Sequence, residues 1–318
     1  MYLPWLRSTR VCSLAAMRVA SRGPSACAAI ARRSTRCCSS AAEQASPFWV
    51  ANLQGRGRGV LSSGELPEGT PLLTCRPLAQ VVKVGGGQGS CSYCLGEVRP
   101  PATYCSAACE VAHEAVGSRL LARCDLDELR KLHTEEGRKF PLFIAQLLAA
   151  LLEGLRHDAT RAPAAWGEAM ALCFAELPTE VKEHIEVERQ ALLRAFVDAN
   201  VSTPESLELL MPAPTYSRLL GAAQLNAFEL TSTRGLVVSA LLGAPASFFN
   251  HSCQPNVVVA AAADHQVTFM TRRPVLANEE LTISYVEQQA LEDAERRDLL
   301  ESKYGFRCVC PICRALPA

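Results

Sequence analysis

The chain is 318 residues long, with 32 basic and 32 acidic side chains and 15 cysteines. Without its first 42 residues, 25 basic residues face 32 acidic ones, a net charge of −7 that argues against a nucleic-acid binder and favours attraction of basic peptides. Eight of the cysteines fall in two metal-type clusters, four lie in the first 42 residues, and only Cys75, Cys124 and Cys173 remain. That distribution speaks for a reducing compartment rather than a secreted disulfide scaffold.

Residues 1–42 carry seven arginines, no lysine and no acid, with many Ser and Ala, and the first acid is Glu43. This is the composition of an organellar transit peptide, and no apolar run is long or clean enough for a secretory core. A basic tail that binds nucleic acid is the alternative. The arginine content favours a mitochondrial over a chloroplast address, with the nucleus as the location if the segment is not a signal.

The next feature is Gly55-Arg56-Gly57-Arg58-Gly59-Val60, followed by Pro67-Glu68-Gly69 inside a GELPEGTPLL strand-turn pattern. A Gly/Arg run alone reads as a flexible loop or an anion site, while glycine also lets backbone approach a ligand closely. Cys91-x-x-Cys94 and Cys105-x-x-x-Cys109 come next, ten residues apart with Tyr104 before the second pair. Four thiolates so spaced can share one tetrahedral zinc, the alternative being a metal-free loop.

Residues 125–222 read as helical. Ile144, Leu147, Leu148, Leu151, Leu152 and Leu155 recur at helical spacing. The uncharged run from Phe140 to Leu152 is thirteen residues, too short for a bilayer, so a buried helix and no membrane segment is expected. Pro178 to Phe196 reads as an amphipathic helix whose charges form a solvated face, and Thr203-Pro204-Glu205 stand in helix-start order. Segments 256–263 and 266–272 read as strands joined at Ala263-Asp264-His265, and a third strand runs from Leu281 to Val286.

The C-terminal region holds three local patterns in order: Asn250-His251-Ser252-Cys253-Gln254-Pro255-Asn256, then EELTISY (Glu279 to Tyr285), then YGFRCVCPIC (Tyr304 to Cys313). Cys308, Cys310 and Cys313 leave a tetrahedral zinc one ligand short, and Cys253 is a plausible fourth thiolate. The bland readings are small buried cysteines, a solvated turn at Asn250-His251 and a strand-end aromatic at Tyr285.

Together these motifs resemble the catalytic half of a SET-domain protein-lysine methyltransferase of the SET/MYND type, closest to the short plant-type trithorax-related SET proteins. The resemblance covers residues 47–316. It implies an α+β fold: a SET β-core with a pseudoknot made by threading the NHSC segment, an inserted MYND-like zinc module, a helical insert and a post-SET zinc site. The expected organisation is a transit peptide at 1–42, SET N-terminal strands at 47–84, a reduced zinc module at 85–124, a helical insert at 125–222, the catalytic core at 223–289 and the post-SET segment at 290–318. Asn226-Ala227-Phe228 is a further partial match, to an N-x-F element.

The resemblance also assigns roles. S-adenosylmethionine would be held by Arg56, Gly57, Arg58, Gly59, Asn250, His251, Tyr285 and Phe306, with Tyr285 catalytic and Phe306 lining the lysine channel. Two zinc ions are expected, one on Cys91, Cys94, Cys105 and Cys109, the other on Cys253, Cys308, Cys310 and Cys313. A full MYND module binds two zincs and needs a further C-x-x-C, yet residues 95–103 hold no cysteine or histidine. His113 and Cys124 stand as remnants without partners. The partner is a protein presenting a basic, lysine-containing segment, from a histone or an organellar protein, to a monomer that makes no direct nucleic-acid contact. The alternative is a catalytically inactive SET/zinc protein acting as a binding module, favoured by the reduced zinc module and by Arg58 and Val60 around the G-x-G.

Overall fold

A computed structural model describes residues 46–82, 89–160, 162–232, 234–262, 266–286 and 291–315. The transit-peptide reading at 1–42 and the Ala263-Asp264-His265 connection lie outside the described residues.

Among the described residues, three small sheets carry the β-structure. The first contains β1 (Phe48–Leu53), β2 (Gly57–Ser62), β7 (Asn250–His251) and β10 (Glu280–Ile283), in the order β1-β2-β10-β7. The second orders β3 (Pro71–Cys75), β9 (Gln266–Thr271) and β8 (Val257–Ala262); the third orders β4 (Ala79–Val82), β6 (Val237–Leu241) and β5 (Ala227–Thr231). Most pairs are antiparallel, but β7 runs parallel to β10, with Asn250 opposite Thr282 and His251 opposite Ile283. Residues distant in sequence thereby meet in the first sheet. Val60, Leu72, Phe249, Val257, Phe269, Leu281 and Ile283 form one core beneath these strands.

A helical layer makes the second core. It comprises α1 (Ala107–Glu114), α2 (Ser118–Leu121), α3 (Asp127–Glu136), α4 (Phe140–His157), α5 (Ala164–Ala171), α6 (Lys182–Asp198), α7 (Pro204–Leu210) and α8 (Ala213–Asn226). α9 (Asp293–Tyr304) and α10 (Pro311–Ala315) close the described chain. Helix α4 is 18 residues long, extending beyond the uncharged run of thirteen, and by length and composition alone it suffices to cross a membrane. It is packed instead as a core helix, burying Phe143, Ile144, Leu147, Leu148, Leu151 and Leu152 against α6, α8 and their neighbours. The start of α7 is as expected: the Thr203 side chain accepts from the Ser206 amide, and Pro204 fills the first turn, where no amide donor is needed.

Two expectations are corrected. The strand expected over Leu281–Val286 is Glu280–Ile283, because the amide of Tyr285 turns off the ladder to donate to His251 Nδ1 at 3.0 Å. The charges of the helix after Pro178 are not all solvated. Glu188 and Arg189 are buried: Glu188 accepts from Tyr216 Oη at 2.5 Å and pairs with Arg138, while Arg189 pairs with Glu186 and Glu208. A helix buried on more than one side must bring counter-charges with it, since an unpaired buried charge is costly.

Candidate active site and metal centres

The site begins at the β1–β2 hairpin. The chain reverses at Gly55, whose φ of +73° is a left-handed conformation that favours glycine, the Arg56 amide donating back to the Leu53 carbonyl at 3.1 Å, and Arg56 and Arg58 are thereby put at the sheet end. Gly59 serves close approach: a side chain there would stand 3.0 Å from Asn250 Nδ2 and collide with Leu53. The space is used by Asn250, whose Nδ2 donates to the Arg58 carbonyl at 3.1 Å and to Glu280 Oε1 at 2.9 Å. Glu280 Oε2 pairs with Arg56, and Arg56 also donates to the His251 carbonyl at 3.1 Å. Three strands from opposite ends of the sequence are thus joined through one carboxylate.

Asn256, at the end of the same motif as Asn250, is bonded to β10. It is 1% exposed; its Oδ1 accepts from the Thr282 amide at 2.8 Å and its Nδ2 donates to the Glu280 carbonyl at 2.8 Å. A side-chain amide replaces ladder bonds here and holds NHSCQPN against EELTISY.

His251 is buried between two groups. Nδ1 accepts from the Tyr285 amide, so the ring proton sits on Nε2, which donates to Cys253 Sγ at 3.2 Å. Burial first, then Arg296 and Arg56, lower its pKa to about 4, which keeps the ring neutral. Both ring nitrogens are engaged within the protein, and in this structure the ring fixes the loop.

Tyr285 Oη donates to the Phe249 carbonyl at 2.8 Å. Its ring lies 4.9 Å from Tyr304, 5.4 Å from His251 and 6.3 Å from Phe306, the last edge-to-face. Burial foremost raises the phenol well above its ordinary range, and Tyr285 therefore remains a neutral donor. The structure brings Arg56, Gly59, Asn250, His251, Tyr285 and Phe306 into one continuous region. Arg58 joins it through its carbonyl, while its guanidinium donates to Cys173 Sγ at 3.1 Å and lies 4.1 Å from the centre of the Phe248 ring. Asn226 holds the facing segment by donating to the Cys173 carbonyl at 2.8 Å.

Phe306 is placed by the C-terminal cysteines. The sulfurs of Cys253, Cys308, Cys310 and Cys313 all lie within 4.8 Å of one another, with Cys253 to Cys313 at 3.5 Å and Cys253 to Cys308 at 3.8 Å. A tetrahedron with Zn–S bonds of about 2.3 Å has S···S edges of roughly 3.8 Å, and the set fits zinc. Cys91, Cys94, Cys105 and Cys109 form the second such group, also within 4.8 Å. Its helix α1 is capped inside the cluster, Ser106 Oγ accepting from the Cys109 amide at 3.2 Å. In each group burial opposes ionisation of one thiol, Cys91 or Cys310, but backbone donors outweigh it and lower the pKa to about 7.

Among the described residues these are the two metal-type groups. His113 and Cys124 belong to neither: His113 Nδ1 meets Tyr104 Oη at 3.2 Å and Cys124 donates to the Leu120 carbonyl.

Glu280, Asn256, Cys173, Tyr304 and Arg296 are the contributors that sequence reading passed over. Glu280 lies inside the EELTISY pattern, but its partners stand in other motifs. Arg296 is an arginine in a charged helix, and nothing local distinguishes it.

With this geometry in view, residues 57–286 match the family model described as the SET domain. A SET and MYND domain-containing protein of Dictyostelium discoideum is 24% identical over 259 residues, covering 72% of this chain and 72% of its own. Histone-lysine N-methyltransferase ATXR4 of Arabidopsis thaliana is 24% identical over 293 residues, covering 85% of this chain and 86% of its own. Among solved structures, the SET domain of LSMT bound to lysine and AdoHcy is similar at TM-score 0.42 and 12% identity, and Rubisco LSMT bound to AdoMet at TM-score 0.37 and 14% identity. The match covers 83% of this chain and 53% of each of those two.

Proposed function

The chain belongs to the SET-domain family, and from that premise we propose that it is an S-adenosylmethionine-dependent protein-lysine N-methyltransferase. The observation that supports this most is the convergence of Tyr285, Phe306, Asn250, His251 and the Gly57–Gly59 strand around one Glu280-centred junction. Residues that only packed a core would not need a donor phenol, an aromatic wall and a strand opened by glycine at Gly57 and Gly59 at one place.

Bound S-adenosylmethionine supplies an electrophilic methyl group. Arg56, the Gly57–Gly59 backbone, Asn250, His251 and Phe306 would hold it. The protein's own part is orientation and desolvation. Tyr285 is a neutral phenol, so it orients the incoming amine and does not remove its proton as a phenolate. The amine arrives neutral because a dry channel and the positive charge that the bound cofactor would carry both lower its pKa; Tyr285, Tyr304 and Phe306 would line that channel. The same ring faces suit a methylated ammonium product by cation–π attraction. Two zincs hold the frame in this reading, with the C-terminal one keeping Phe306 against Tyr285 and His251.

The substrate is a protein, as the named activity of the Arabidopsis relative suggests, and the acidic balance of residues 43–318 suits a basic segment. The signal-like composition of residues 1–42 supports a mitochondrial location, which makes an organellar protein lysine a better substrate than a histone. Calorimetric titration with S-adenosylmethionine separates the enzyme from an inactive binding module. Saturable binding near one site per chain is expected, and no binding by zinc-loaded protein would overturn the reading.

A further inference from the structure

The C-terminal cysteine centre is assembled from two separate segments. Three thiols come from residues 308–313, and one, Cys253, comes from the strand-end segment that also carries Asn250 and His251. Cys253 is therefore the one member of the group that comes from the segment of Asn250 and His251, and it is 4% exposed. Two side chains donate to it from opposite elements: His251 Nε2 at 3.2 Å and Arg296 Nε at 3.2 Å. Arg296 is 5% exposed and is itself held by the Asp293 carboxylate. Its neighbour Arg297 donates to the Cys313 carbonyl at 2.8 Å. Helix α9 thus grips both halves of the centre with consecutive arginines.

We propose that Arg296 is a positioning residue, whose guanidinium fixes the Cys253 thiolate and through it the His251–Tyr285 register of the cofactor face. Four thiolates around one divalent zinc leave a net charge of about −2 in a buried setting, which a fixed cation compensates. Charge-assisted donation to a ligand sulfur also sets where that sulfur can sit. The path onward is continuous: Arg296 to Cys253, Cys253 to His251 Nε2, His251 Nδ1 to the Tyr285 amide. Loss of the guanidinium frees the one thiolate shared by the two segments, and His251 loses its fixed Nε2 partner.

The effect on the cofactor face rests on the methyltransferase reading; the effect on the metal does not. The test uses full-length, zinc-loaded protein and follows zinc transfer to a chromogenic chelator. The phases are assigned with Cys310→Ser, which removes the C-terminal centre, and Cys105→Ser, which removes the other. Arg296→Leu is expected to speed the C-terminal phase by about tenfold or more and leave the other phase unchanged. Arg296→Lys, which keeps the charge, is expected to recover most of the difference. In methyl transfer, Arg296→Leu is expected to raise KM for S-adenosylmethionine several-fold more than it lowers kcat. Should Arg296→Leu fail to fold, Arg296→Gln carries the same comparison with an intermediate effect.

An unchanged C-terminal phase, equal acceleration of both phases, or a lysine variant no better than leucine overturns the proposal. If the zinc phases behave as expected while wild-type protein binds no S-adenosylmethionine, the methyltransferase reading fails and the role of Arg296 at the metal stands.

Discussion

The Tyr285 hydroxyl is the smallest group on which the proposed chemistry depends. It donates to the Phe249 carbonyl at 2.8 Å, and burial keeps it protonated. Tyr285→Phe retains the ring and its contacts with Tyr304 and Phe306 but removes the oriented dipole. Loss of one preorganised donor costs on the order of 10²–10³ in kcat, while cofactor affinity, which rests on other groups, stays within about twofold. Single-turnover kinetics beside calorimetric titration checks both halves, and wild-type turnover in the variant refutes the assignment. Glu280→Gln is a second test at this scale. It leaves a side chain able to accept from Asn250 but removes the charge facing Arg56. The expected result is weaker S-adenosylmethionine binding with a small loss in melting temperature, since Arg56, 37% exposed, keeps its access to water when the charge it faces is removed.

Two elements carry most of the energetic risk. The first is the C-terminal cysteine centre, because in the proposed reading metal binding and local folding are coupled there. Cys310→Ser is expected to abolish methyl transfer by releasing Phe306 from Tyr285 and His251, whereas Cys105→Ser mainly lowers stability. Activity per folded molecule for each variant decides it. The second is the buried Arg138–Glu188–Tyr216 network, where Arg138 is 9% exposed and Glu188 3%. Arg138→Met leaves a buried carboxylate without its cation and is expected to cost about 3–5 kcal/mol in chemical denaturation. The sign of its pH dependence follows. Burial raises the Glu188 pKa, and Arg138 pulls it back. Without Arg138 the folded-state value climbs further above the unfolded one, so the cost is present above the folded pKa and is relieved as pH falls towards the unfolded value. Relative to wild type, the variant therefore loses less stability at mildly acidic pH than at neutral pH. These elements also show what was legible in the sequence. Cys308, Cys310 and Cys313 are three thiols within six positions, and NHSCQPN and EELTISY are contiguous, so local pattern sufficed to place them. Arg138 and Glu188 stand 50 positions apart, and Arg56 and Glu280 stand 224 apart. No local pattern distinguishes a charge that will be buried and paired from one that will face water. Helical periodicity located α6 but assigned its charged face to solvent for this reason.

At the scale of the whole molecule, three small sheets and a helical layer are tied together by long-range polar contacts and, in the proposed reading, by two zinc ions. Elemental analysis is expected to give two zincs per chain, and a value of three or none contradicts that reading. Residues 1–42 contribute a proposed address. A fluorescent protein fused after residue 50 is expected to reach an organelle, and deletion of residues 1–42 from the full-length fusion to leave the product in cytosol or nucleus. A nuclear signal from the full-length fusion would reverse the preference and return histones as the substrate. The central claim, however, is methyl transfer to protein lysine. Its most direct test is to incubate zinc-loaded protein and methyl-labelled S-adenosylmethionine with an organelle extract from cells lacking the protein, and to map label by mass spectrometry. Label on lysine Nζ with wild-type protein and none with Tyr285→Phe is the predicted result. S-adenosylmethionine binding without any labelled lysine, or equal labelling by both proteins, would contradict it.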